Sequence, residues 1–72
     1  MEFRKVGKHV RIYPLAKIID PEVISIGSNV IIDDFVLLVG GKRTEIGDYV
    51  HIASFCSITG GGEFIMQDFS GL

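Results

Sequence analysis

His51 is the residue best suited to chemistry in this 72-residue chain. An imidazole can accept a proton from an attacking hydroxyl or amine near neutral pH. Such a base needs an orienting partner, and three carboxylates are candidates: Asp48, just upstream, and the pair Asp33-Asp34. The plainer alternative is an exposed or interfacial histidine with no catalytic role. Gly40-Gly41-Lys42-Arg43-Thr44 invites a phosphate reading. The nucleoside-triphosphate loop needs a Gly four residues before its Gly-Lys pair and a Ser or Thr directly after the Lys. Val36 and Arg43 occupy those places, so that motif fails and an exposed corner loop fits better. Gly60-Gly61-Gly62 reads as the matching corner further along.

His9 reads as a solvated corner residue. Cys56 is the only cysteine, so no disulfide can form within the chain. It reads as a small buried hydrophobe, because a nucleophile would need a nearby base and an electropositive setting. No metal site is expected. No Cys/His cluster offers zinc ligands, and two adjacent carboxylates are too few for a hard cation.

The elements that must position His51 follow from a repeat. An aliphatic-Gly-x-x-Val pattern recurs at Val6-Gly7-Lys8-His9-Val10, Ile26-Gly27-Ser28-Asn29-Val30 and Ile46-Gly47-Asp48-Tyr49-Val50, at steps of 20 residues. A worn fourth copy is read at Ile65-Met66-Gln67-Asp68-Phe69, after a step of 19. Within each period, aliphatics recur about every six residues: Val6, Ile12, Ile18; Ile26, Ile32, Leu38; Ile46, Ile52, Ile58. A second register of small or β-branched residues lies four residues later: Val10, Ala16, Val30, Val36, Val50, Cys56. A helix would carry apolar residues at i, i+3, i+4 and i+7 and would tolerate this composition poorly. Short strands broken by turns fit better.

The expected shape is a triangular prism with three short strands per coil. Coils stack at the strand spacing of about 4.8 Å. Val6 is then laddered with Ile26, Ile46 and Ile65, and Ile12 with Ile32 and Ile52. The coils span about residues 6–25, 26–45 and 46–64, with a partial coil at 65–72. Gly at the second position of the pattern is read as easing a tight backbone path near the turn. His51 precedes the inward Ile52, so strand alternation turns it outward. Phe35, Leu37, Phe55, Ile24 and Ile31 are expected to face outward as contacts between copies.

Composition bounds the rest. A net charge of −2 argues against nucleic acid as the main partner. The longest apolar run, Phe35 to Val39, is far below the roughly 18 residues of a membrane span. The first residues lack a signal-peptide apolar core, and a cytoplasmic location is expected. A 47% hydrophobic content with a mean hydropathy of +0.41 is high for a small chain and implies apolar surface that needs a partner.

From Val6 to Leu72 the repeats resemble the hexapeptide-repeat acyltransferases. The stretches Ile46 to Phe55, Gly60 to Glu63 and Asp68 to Leu72 are similar to the N-terminal coils of bacterial sugar O- and N-acetyltransferases. The resemblance implies an all-β, single-stranded left-handed parallel β-helix of just over three coils. The left hand comes from the resemblance alone, since parallel crossovers are normally right-handed. It further implies a homotrimer, open to end-to-end stacking, with acetyl-CoA as co-substrate in the groove between subunits and a sugar-type acceptor. His51 would be the base, Asp48 a possible orienter, and Lys42 and Arg43 contacts to the phosphates of coenzyme A. Family members carry more coils, so a truncated or N-terminal portion of such an enzyme is expected. The alternative is a non-catalytic β-helical assembly module.

Overall fold

A computed structural model describes residues 2–72. Ten short strands run along the chain: β1 (Lys5–Val6), β2 (Arg11–Ile12), β3 (Lys17–Ile19), β4 (Ile24–Ile26), β5 (Ile31–Ile32), β6 (Leu37–Val39), β7 (Arg43–Ile46), β8 (His51–Ile52), β9 (Ser57–Ile58) and β10 (Glu63–Met66). A single 3-10 turn, Pro21–Val23, precedes β4. Every third strand joins the same sheet: β1-β4-β7-β10, β2-β5-β8 and β3-β6-β9. All pairings are parallel and offset by 20 residues, as in Val6 with Ile26, Ile12 with Ile32 and Leu38 with Ile58. The chain is therefore a three-faced parallel β-solenoid, as the six-residue rhythm predicts.

The core is the stack of hexad aliphatics. Ile26, Ile46, Ile32, Ile52, Leu38 and Ile58 are buried, with Val30, Val36 and Val50 at the inward corners. Each fully buried aliphatic contributes about 1.5–3 kcal/mol. The outermost first coil shares less of this burial, and Val6 is 53% exposed.

Two expectations are corrected. Ile24 is not an outward contact but fully buried. Strands of the first sheet are long enough to turn two residues inward, so Ile24, Thr44 and Phe64 form a second inner column beside Ile26, Ile46 and Met66. Thr44 is the one buried polar residue among the described residues, and its hydroxyl donates to the Gly40 carbonyl at 2.9 Å. The last ladder also ends differently from the expected one. Met66, not Ile65, pairs with Ile46; Ile65 pairs with Glu45 and is 55% exposed. The corner at Gly60-Gly61-Gly62 absorbs the same two extra residues as the earlier corners, so the period stays at 20. A one-residue slip would turn every side chain of β10 to the wrong face. Met66→Lys is therefore expected to cost at least about 2 kcal/mol, whereas Ile65→Lys should stay within about 0.5 kcal/mol. Urea denaturation of both variants checks this.

The corners explain the Gly pattern. The left-handed backbone falls not on the Gly but two residues later, at His9, Asn29, Tyr49 and Phe69, with φ between 57° and 62°. A second corner column uses Phe35 (φ 63°) and Phe55 (φ 67°). Non-glycine residues visit this region rarely; here the four aromatic ones stack in pairs across adjacent coils. Phe35 and Phe55 are stacked with centroids 5.4 Å apart, and Tyr49 and Phe69 at 5.1 Å. The glycines serve close approach instead. The residue after each one, in the next coil, accepts a backbone N–H through its side chain: Ser28 from Lys8 at 3.0 Å, Asp48 from Ser28 at 2.7 Å, Asp68 from Asp48 at 2.7 Å. A Cβ on Gly27 would overlap the Asp48 carboxylate and stand 2.7 Å from the Gly47 carbonyl carbon.

Candidate functional site

The outward face of the second sheet carries the polar constellation. The register stacks Arg11, Ile31 and His51 in one column. Residues two further along a strand share that face, which adds Tyr13 and Asp33. The two aromatic corners flank it. Tyr49 and Phe69 stand just before the strands of this sheet, and Phe35 and Phe55 just after. Phe55 and Phe69 are the most exposed large hydrophobics of the described chain. His51 thus lies on an open face with exposed aromatic corners on either side.

The Nε2 atom of His51 lies 2.9 Å from an Asp33 carboxylate oxygen. With the Asp33 carboxylate accepting, a neutral imidazole carries its proton on Nε2 and keeps the Nδ1 lone pair. The His51 side chain is 56% exposed and that of Asp33 26%. The carboxylate is thus the more enclosed partner, and the ring remains open to solvent. Arg11 donates to the Tyr13 hydroxyl at 3.4 Å. That hydrogen bond, reinforced by Tyr13 electrostatically, raises the Arg11 guanidinium above its ordinary pKa. Arg11 is a cation with or without this partner, and it stands in the His51 column two coils away.

The remaining candidates are placed elsewhere. Asp48 binds the Ser28 N–H, and Asp34 accepts from the Leu15 N–H at 2.8 Å. Of the three carboxylates, Asp33 is the one hydrogen-bonded to His51. Arg43 heads β7 of the first sheet, a different face of the prism from His51, and Lys42 lies on the turn just before it. Arg43 is paired with Glu45, its Nε donating at 2.8 Å. Both border an open groove of about 430 Å³ with Arg4, Lys5 and Ser25. His9 is an exposed corner residue, and Cys56 packs against the core as a small hydrophobe. Among the described residues no group of three or more His, Cys, Asp or Glu could hold a metal ion. No described helix is long and apolar enough to cross a membrane.

Comparison with known proteins decides the kinship. No family model matches the chain. The dTDP-4-amino-4,6-dideoxy-D-glucose acyltransferase of Escherichia coli is 40% identical over 73 residues, matching 100% of this chain and 38% of that protein. A solved structure of a mutant of AntD, an N-acyltransferase from Bacillus cereus, in complex with dTDP and coenzyme A superposes with a TM-score of 0.86 at 45% identity. The match covers 96% of this chain and 38% of that one. The resemblance to the hexapeptide-repeat acyltransferases holds. A second AntD mutant, in complex with dTDP-4-amino-4,6-dideoxyglucose and coenzyme A, gives a TM-score of 0.77 at 41% identity, over 96% of this chain and 40% of that chain. The chain spans about two fifths of the length of these relatives.

Sequence reasoning left three carboxylates open as partners of His51, and a signal in the period would have chosen among them. A step of 20 puts Ile31 beside His51, and Asp33 is two residues along on the same face. The Arg11–Tyr13 pair was missed, though the same count places both residues there.

Proposed function

We propose that this chain forms coils of a coenzyme A-dependent N-acyltransferase whose acceptor is an amino sugar carried on a nucleotide. The hydrogen bond between His51 and Asp33 carries the proposal, in a chain 45% identical to an N-acyltransferase solved with dTDP and coenzyme A. Asp33 holds the imidazole with its proton on Nε2. Nδ1 then takes the proton that the amine loses as its nitrogen attacks the acetyl thioester, and returns it to the sulfur of coenzyme A, which leaves as the thiol. An amide forms and a thioester breaks. Arg11, a cation on the same face, suits the negative charge of a nucleotide-linked acceptor.

The faces explain why a homotrimer belongs in this reading. Lys42 and Arg43, taken as contacts to the phosphates of coenzyme A, lie at the first-sheet face, and His51 lies on the second. One copy cannot bring them together, but the first-sheet face of one copy against the second-sheet face of its neighbour can. Outward Phe35, Phe55 and Ile31 at that junction supply apolar contact area. Isothermal titration with acetyl-CoA should show binding that weakens about tenfold in a Lys42→Ala, Arg43→Ala double variant, the loss expected for two exposed charge-assisted contacts. No heat at millimolar acetyl-CoA would remove the proposal and leave the assembly module as the better reading.

A further inference from the structure

One corner of the prism carries a column of rings that is broken at a single place. His9, Asn29, Tyr49 and Phe69 succeed one another there, one per coil, with φ between 57° and 62°. Like backbones direct their side chains alike, and the rings of Tyr49 and Phe69 stack with centroids 5.1 Å apart. Asn29 sets a short amide where the column would otherwise hold a ring. His9 and Tyr49 are therefore two coils apart, about 10 Å at the strand spacing. Two stacks at centroid separations of about 5 Å fill that interval, so it admits one further planar ring. An open cleft of about 250 Å³ lies at this corner, lined by His9, Arg11, Asn29 and Ile31. The Asn29 backbone N–H donates to the Lys8 carbonyl at 2.8 Å, and its side-chain amide has no hydrogen-bond partner among the described residues.

We propose that this cleft receives the nucleobase of the nucleotide that carries the acceptor. The inference rests on the reading of the acceptor as a nucleotide-linked amino sugar, and it places the far end of that molecule. The base enters between His9 and Tyr49, whose rings offer faces for stacking. The Asn29 amide presents a donor and an acceptor side by side, which match the polar edge of a base. Arg11 presents a planar fork that fits the diphosphate. Arg11 and His51 share one column, two coils apart, again about 10 Å. That is about the span of a pyranose ring and the phosphate attached to it, so the amine reaches His51 when the phosphate is on Arg11.

Isothermal titration with dTDP tests this, run at saturating coenzyme A so that dTDP cannot occupy the coenzyme's place. Asn29→Phe fills the gap with a ring of the kind the corner already holds at Phe69, where φ is 62°. It should weaken dTDP binding at least about tenfold, because the base loses its slot. Asn29→Gly suits the left-handed backbone and removes only the amide. It should weaken dTDP binding about tenfold. Both variants should keep the parent's β-sheet circular dichroism and its affinity for acetyl-CoA. Binding of dTDP that survives both substitutions, or that falls in step with acetyl-CoA affinity, would overturn the cleft and leave the nucleotide-linked acceptor standing. No dTDP binding by the parent chain at millimolar concentration would overturn both.

Discussion

Replacing His51 with Ala is expected to lower acyl transfer by about 10²–10⁴-fold, the range over which a positioned base contributes. The affinity for acetyl-CoA should change little, because in the proposed site His51 takes the acceptor's proton while Lys42 and Arg43 hold the phosphates of coenzyme A. Asp33→Asn should give a smaller loss. The amide still bonds Nε2 but can also donate to it, so it no longer fixes the proton there. Initial rates at saturating acetyl-CoA measure both effects. Asp48→Asn provides the contrast: its side-chain oxygen still accepts the Ser28 N–H, so turnover should be retained. Unchanged turnover in His51→Ala would return that residue to a surface role.

The largest effect on stability is expected at Gly27. Gly27→Ala drives a methyl into the Gly47 backbone and the Asp48 carboxylate. Overpacking costs about 1–3 kcal/mol. Displacing the carboxylate from the Ser28 N–H adds about 1–3 kcal/mol for a charge-assisted bond. The sum, about 2–6 kcal/mol, is comparable to the whole stability of a small domain, roughly 5–15 kcal/mol. Gly61→Ala is the control. Nothing lies within 4 Å of a Cβ there, and its urea midpoint should match the parent's.

Much of the fold was legible because a solenoid writes its register directly into the sequence. The ladder of Ile12, Ile32 and Ile52 follows from counting alone, and the structure pairs these residues as counted. The fourth copy was misread for a physical reason. Ile65 looks more like the repeat than Met66 does, and hydrophobicity cannot reveal that the corner at Gly60-Gly61-Gly62 holds one residue more than supposed. Ile24 was misplaced because a six-residue rhythm assigns one inward aliphatic per strand, whereas the longer strands of the first sheet turn two inward. The Gly of each repeat was seen but its reason was not. Its purpose is contact with a side chain 21 residues away, and the unusual backbone sits on His9, Asn29, Tyr49 and Phe69.

The site was legible in part. Strand alternation alone places His51 outward. Its partner needed the coil-to-coil register, which puts Asp33 diagonal to it and commits Asp48 and Asp34 to backbone hydrogen bonds. The separation of Arg43 from His51 on two faces needed the sheet assignment, since both lie within nine residues in sequence. That separation makes the interface between copies the central element of the proposed function.

Subunit complementation tests it most directly. His51→Ala and Arg43→Ala chains, each impaired alone at limiting acetyl-CoA, are mixed in equal amounts and allowed to exchange. A site shared between neighbouring copies predicts that about a quarter of the interfaces in the mixture pair two intact faces, so activity rises above either parent. Activity that stays at the average of the two variants, with exchange verified by native mass measurement, would contradict it.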